Sequence, residues 1–235
     1  MDSLHSKGDY PGFAAKKNVQ RRDVAIPPLG LRGTLVMPTA AKSLVIFAHG
    51  SGSSRFSPRN VTVADSLNEH HTATLLFDLL RLQEERNRSN VFDIALLAAR
   101  LVDVVCWARQ EPSLRNLPIG LFGASTGAGA ALVAAASLGD SIRAIVCRGG
   151  RPDLAGGALE RVRAPTLLIV GGADYGVIEL NQQAFARLSC PKALEIVPGA
   201  THLFEEPGAL EQVIDHAVRW FDNHLEEHSA FAALY

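Results

Sequence analysis

Aromatic residues make up only 6% of the 235 positions, and Cys (3), Met (2) and Trp (2) are scarce. The three cysteines, Cys106, Cys147 and Cys190, are odd in number and widely spaced. That excludes a disulfide framework and a zinc motif and makes a reducing compartment the expectation. Charge of one sign is not in excess: Lys+Arg 23 against Asp+Glu 24 gives a formal net charge of -1. A chain so balanced has no electrostatic footprint for nucleic acid or an anionic membrane surface. No stretch of about 18 uncharged apolar residues occurs, so no membrane-spanning helix is predicted. Residues Met1–Gly8 lack the apolar core of a signal peptide. With 20 Gly and 12 Pro the chain is neither collagen-like nor of low complexity. The expectation is a cytoplasmic globular protein without nucleic-acid partners or membrane insertion, with a homo-oligomer left open.

What is present is apolar material in quantity: 47% of the residues. That suffices for a sizeable core in one large domain or two small ones. Residues 1–20 are polar and mildly basic and read as an N-terminal arm, residues 21–227 as a single domain, and 228–235 as a tail. Short apolar runs recur at Val19–Ile26, Leu31–Met37, Leu44–Ala48, Ala73–Leu79, Pro118–Phe122, Ile142–Cys147, Thr166–Val170 and Ala193–Val197. Several, such as Leu44-Val-Ile-Phe-Ala48, are apolar on both faces, as in parallel strands covered by helices. Helical patterns lie at Val61–His70, Val91–Gln110, Ser125–Leu138, Ile178–Leu188 and Pro207–Leu225. In the second, Ile94, Leu97, Leu101, Val104, Val105 and Ala108 recur at three- and four-residue steps. The alternation predicts a doubly wound, mostly parallel α/β sheet of about eight strands. Only Pro27-Pro-Leu-Gly30 separates the first two strands, so an antiparallel hairpin at one edge is expected.

The sharpest local signal is Gly123-Ala-Ser-Thr-Gly127. Gly-x-Ser-x-Gly alone is weak, but here an apolar strand runs into it and the small-residue helix Ala128–Ala136 runs out of it. A strand–sharp turn–helix unit holds its serine in a strained backbone, and the small residues on either side avoid a clash between strand and helix. The competing reading is a glycine-rich helix start with a capping serine. A serine hydroxyl needs a base, and the base needs an orienting group. Asp174 follows the strand Thr166–Val170, and His202 follows the next strand, so both reach the same sheet edge as Ser125. Glu179 is the alternative acid, but it falls inside a predicted helix. An oxyanion hole needs two N–H donors: Thr126 next to the nucleophile, and Ser51 in the loop His49–Ser54, with Gly52 as second choice. His49 reads as a brace for that loop.

The elbow, His49-Gly50, Asp174 and His202 span nearly the whole chain from about residue 20 to 225. They resemble the α/β-hydrolase superfamily and, within it, the small dienelactone-hydrolase-like proteins. The stretch between Cys147 and Thr166 is too short for a cap domain, which such proteins also lack. The resemblance implies a Ser-His-Asp serine hydrolase acting on small esters or lactones, with no cofactor and no metal. Dienelactone hydrolases proper carry cysteine as nucleophile, and Ser125 departs from that pattern, which favours plain carboxylesterase chemistry. Some relatives are joined to a phosphoribosyltransferase domain, and no segment of that kind stands in these residues. Thioester hydrolysis or acyl transfer by the same residues, and a non-catalytic binding protein on the same fold, are the rival readings.

Several arginines are candidates for substrate binding. Arg148 and Arg151 follow the sixth strand and could grip a substrate carboxylate, or pair with Asp153; Arg55 and Arg59 near the oxyanion loop are similar candidates. The charged stretch Arg81–Arg88 reads as a solvated loop, with a part in the site rim as the alternative. Cys106 and Cys147 fall in apolar patterns and are expected as buried, inert thiols. His70, His71, His216, His224 and His228 lack metal-ligand spacing. Ser229–Tyr235 reads as a tail or a partner-docking strip.

Overall fold

The computed structural model describes residues 19–225. The N-terminal arm lies outside the described residues except for its last two positions, which open the first strand; the tail 228–235, with His228, also lies outside. Eight strands form one sheet: β1 (Val19–Ile26), β2 (Leu31–Pro38), β3 (Ser43–Ala48), β4 (Thr72–Phe77), β5 (Ile119–Ala124), β6 (Ala144–Arg148), β7 (Thr166–Gly171) and β8 (Lys192–Val197). Their spatial order is β1-β2-β4-β3-β5-β6-β7-β8. β1 and β2 form the antiparallel edge hairpin, β2 pairs antiparallel with β4, and every later pairing is parallel. β1 turns Arg21, Arg22 and Asp23 to solvent, which blunts the open edge against pairing with another chain.

The two-faced apolar strands divide their side chains between two cores. Leu44 and Ile46 of β3, Leu121 of β5 and Ile145 of β6 join one cluster; Val45, Phe47, Phe122 and Val146 join the other. The first cluster is closed by α4 (Ile94–Gln110), α5 (Thr126–Leu138) and α6 (Tyr175–Arg187), the second by α1 (Pro58–Glu69) and α7 (Ala209–Leu225). Phe47 and Phe122 lie fully buried with ring centroids 4.8 Å apart. Burying a phenylalanine of this kind stabilises by about 1.5–3 kcal/mol, a substantial share of a domain's net stability.

Helix starts fall earlier or later than apolar periodicity predicts, because caps decide them. α1 begins at Pro58, three residues ahead of Val61, since the Ser57 side chain caps it and proline fits the first turn. α4 begins at Ile94, where Asp93 accepts the Leu96 N–H. The charged stretch after β4 folds into two single turns, α2 (Leu82–Glu85) and α3 (Arg88–Val91), joined by Asn90 Nδ2 donating to Glu84 O at 2.9 Å, while the Glu84 carboxylate binds Arg81 and Arg100 of α4. Between β6 and β7 the chain forms a 3-10 segment, Pro152–Arg161, and no separate cap domain. Cys106 corrects the expectation of a buried thiol: it is exposed, one step off the buried stripe of Val104, Val105 and Ala108. Cys147 is fully buried, and burial pushes its thiol up to about 12, so it stays protonated and inert at neutral pH. No helix among the described residues is long and apolar enough to cross a membrane.

Candidate active site

β5 leads straight into the turn at Ser125, whose backbone sits at φ 50°, ψ −122°. A non-glycine residue there carries strain of about 1–3 kcal/mol, so the surroundings must hold it. They do so through the backbone: the Ser125 N–H donates to Arg148 O (3.3 Å), while Ser125 O accepts from Ala128 N (3.1 Å) and Arg151 N (3.0 Å). The glycines of the motif are explained by the same crossing. A Cβ on Gly123 would stand 2.5 Å from Ala128 Cα, and one on Gly127 would stand 2.2 Å from Ala48 O. Both obstacles are backbone, which cannot step aside.

Ser125 occupies the N-cap of α5, yet its hydroxyl caps nothing. It faces His202 Nε2 at 3.3 Å instead. That answers the competing reading of a mere capping serine. His202 lies five residues past the end of β8, in a loop pinned by a hydrogen bond from the Thr201 hydroxyl to Glu206 (2.6 Å). The His202 Nδ1–H donates to Asp174 Oδ2 at 2.7 Å. Asp174 follows β7 and is the N-cap of α6, and its side chain caps nothing either. The three side chains, separated by 77 and 28 residues along the chain, thus form one hydrogen-bonded line. Glu179, the alternative acid, lies exposed on α6 and takes no part in it.

The loop after β3 is braced as expected. The His49 Nδ1–H donates to Gly50 O (2.9 Å), and the Leu79 N–H donates to His49 Nε2 (3.2 Å). One ring nitrogen gives and the other accepts, so the buried ring is neutral; burial is the main cause that lowers its pKa. The expected second oxyanion donor already has a partner in this structure. The Ser51 N–H is turned onto the Thr126 hydroxyl at 2.9 Å and does not present itself as a free donor.

The arginines divide sharply. Arg55, proposed for binding, pairs with Asp78 through both its guanidinium and its backbone N–H, so it fixes the loop and is not free for a ligand. Arg151 is gripped by Asp153 through two hydrogen bonds of 2.9 and 2.8 Å, which also removes it from the candidate binders. Arg148 is buried, 6% exposed, and donates to Asn60 Oδ1 at 3.1 Å. Together with Arg59 it lines a cavity of about 630 Å³ that opens onto Ser125 and His202. A second cavity of about 300 Å³ lies behind the Gly50–Ser53 loop, against Leu79, Leu97 and Thr126. Glu85, from the charged stretch after β4, and Val91 line this second cavity, whereas no residue of that stretch lines the one that holds Ser125. Asn60 was not foreseen: nothing in its own neighbourhood distinguishes it from a surface asparagine of a helix start. Among the described residues no three His, Cys, Asp or Glu side chains gather so as to hold a metal ion.

A Ser-His-Asp line at the carboxyl edge of a mostly parallel sheet, with the serine on a strand–helix elbow, is the arrangement of an α/β hydrolase. A dienelactone hydrolase of Anabaena variabilis superposes with a TM-score of 0.86 at 51% identity, covering 89% of this chain and 100% of that one. The chain belongs to the dienelactone-hydrolase-like family of α/β hydrolases. Est1E of Butyrivibrio proteoclasticus shares the fold at a TM-score of 0.72 and 20% identity, over 86% of this chain and 97% of its own. Two Mycobacterium tuberculosis proteins, both named "Putative phosphoribosyl transferase", are 59% identical over 202 residues, 86% of this chain. The chain spans only 46% of their length. No family model matches the chain.

Proposed function

We propose that the chain is a serine hydrolase of the carboxylesterase type, cleaving small carboxylic esters or lactones through an acyl-enzyme. The observation that carries this is the line Ser125 Oγ–His202–Asp174 at 3.3 and 2.7 Å. His202 Nε2 takes the hydroxyl proton as Ser125 Oγ attacks the ester carbonyl. Asp174 keeps the proton on Nδ1, so that Nε2 is the basic nitrogen, and stabilises the imidazolium that forms. The Thr126 N–H, at the first position of α5, holds one side of the oxyanion, where the helix N-terminus adds its favourable field. The second donor comes from the Gly50–Ser53 loop, with the Ser51 N–H exchanging the Thr126 hydroxyl for the oxyanion. The imidazolium returns its proton to the leaving alcohol. Water, activated by the same imidazole, then attacks the acyl-enzyme and frees the acid and Ser125.

Ser125→Ala is the test. Hydrolysis of p-nitrophenyl butyrate should fall by about 10⁴- to 10⁶-fold while the fold persists. A fluorophosphonate should label the wild-type chain at Ser125 and leave the variant unlabelled. Retention of more than about a tenth of the rate, or labelling elsewhere, overturns the assignment.

A further inference from the structure

Arg148 is an unusual side chain for its surroundings. It is only 6% exposed, and among the described residues no carboxylate pairs with it. Its neutral partner Asn60 satisfies one nitrogen, while its Nε is buried without a partner. The Nε of Arg59 is in the same condition, although its Nη1 reaches Glu205 at 3.0 Å. Both arginines line the cavity that holds Ser125. A buried guanidinium without a counter-charge is costly unless a ligand supplies one. Burial, and then the charge of Arg59, push the Arg148 guanidinium down to about 10. It is still cationic at neutral pH, and an anion between the two side chains would offset the cost of burial and screen their mutual repulsion.

A second feature opens onto the same place. Ser57, Pro58, Arg59 and Asn60 line the cavity, so the N-terminus of the twelve-residue helix α1 faces it. Ser54 and Ser57 also line it, and each hydroxyl accepts a backbone N–H, from Phe56 and Asn60 respectively, which leaves its own hydrogen to donate. Donors therefore reach the cavity from separate elements: the guanidinium of Arg148 at the end of β6, that of Arg59 on α1, and the hydroxyls from the loop. A planar carboxylate is best served by one arginine fork. Three oxygens on a tetrahedral centre are better served by donors spread in space, and a dianion better matches the unpaired Arg148 cation together with Arg59, which holds Glu205 through one nitrogen, and a helix N-terminus.

We infer that Arg148, Arg59 and the N-terminus of α1 form a phosphoryl-binding subsite beside Ser125, which selects ester substrates carrying a phosphate monoester group. This deepens the proposed hydrolase reading and rests on it for the word substrate. The phosphate itself is not transferred; it anchors the molecule while Ser125 attacks the carboxylic ester.

The experiment separates the two readings by measuring binding without catalysis. Inorganic phosphate is titrated calorimetrically into wild-type and Ser125→Ala chains at constant ionic strength, with acetate as the planar control. Phosphate should bind both chains at least about tenfold more tightly than acetate, and Arg148→Met and Arg59→Met should each weaken it about tenfold or more. The Arg59 side chain is only partly buried, 30% exposed, so Arg59→Met tests the subsite even where Arg148→Met fails to fold. Phosphate binding no tighter than acetate, or unchanged by Arg59→Met, overturns the subsite. Phosphate binding that depends on the arginines, in a chain that hydrolyses no ester, leaves the subsite standing and removes the hydrolase. With active chain, an ester bearing a terminal phosphate should outpace its neutral counterpart in kcat/KM, and Arg59→Met should reduce that ratio about tenfold; an unchanged ratio also overturns the inference.

Discussion

Five helices begin at a serine, aspartate or asparagine, and they divide into two kinds. At α1, α3 and α4 the side chains of Ser57, Asn87 and Asp93 accept a backbone N–H of the first turn. At α5 and α6 the side chains of Ser125 and Asp174 do not, although both are good capping residues. Their oxygens are turned to His202 instead. An oxygen that stabilises a helix is locked in place by it, whereas an oxygen withheld from the helix is available for chemistry. The backbone supplies what the caps do not: Ala128 N bonds Ser125 O, and Val177 N and Ile178 N bond Asp174 O, each at 3.0–3.1 Å.

The comparison breaks if the withheld side chains turn out to stabilise, or if the capping ones turn out to act in catalysis. Asp174→Asn makes the sharpest demand. The amide favours the wrong imidazole tautomer, so kcat should fall about 10⁴-fold, while the melting temperature should hardly move, because no cap is lost. A large loss of stability with kcat retained would place Asp174 among the ordinary caps.

His49 sharpens the contrast from the side of the proton. It is a histidine held neutral by burial, with one ring nitrogen donating to and the other accepting from the backbone, and its pKa lies below the ordinary 6.5. The sign follows: as pH falls below about 6.5 the unfolded chain takes up a proton that the folded chain refuses. Stability should therefore decline on acidification, by up to about 1.4 kcal/mol per pH unit from this one group, until the folded ring titrates as well. Urea midpoints of wild type and His49→Gln between pH 7 and 5 check it. The variant should show the shallower slope, and equal slopes would remove His49 as the cause.

The smallest effect belongs to Asp93→Ala, a capping residue distant in role from the cavity. It should lose about 1 kcal/mol of stability, seen as a lower urea midpoint, with kcat per folded molecule retained. A fall in kcat without a fall in stability would erase the distinction between the two kinds of helix start.

Much of this architecture was legible from apolar patterning. Every one of the eight strands lies within two residues of its predicted run at either end, because a strand buried on both faces must be apolar throughout. Strand ends moved where local chemistry intervened: β5 starts at Ile119, after Pro118, which has no N–H to give to the ladder. The 3-10 segment Pro152–Arg161 was not foreseen, since its short, glycine-interrupted turns carry no 3.6-residue period. Apolar periodicity misplaces the starts of α1 and α6 because their first turns, Pro58-Arg-Asn and Tyr175-Gly, show no apolar stripe to count, and that of α4 because the Asp93 cap sets it past Val91.

What the amino-acid order determined by itself is the kind of machine: strand–helix alternation, an elbow whose glycines sit where any Cβ would meet backbone, and Ser125, Asp174 and His202 each just past a strand. These are local facts, readable within ten residues of each position. What only the tertiary structure decided is which polar groups meet. Arg55 and Arg151 found carboxylates, while Arg148, at the end of β6, found an asparagine 88 residues away and was left with an unpartnered nitrogen. The Ser51 N–H found the Thr126 hydroxyl 75 residues on. Hydrophobic periodicity reports how deeply a residue is buried along its own element. The partner of a buried charge is set by which loops the fold packs against one another, and no pattern within a single segment carries that information.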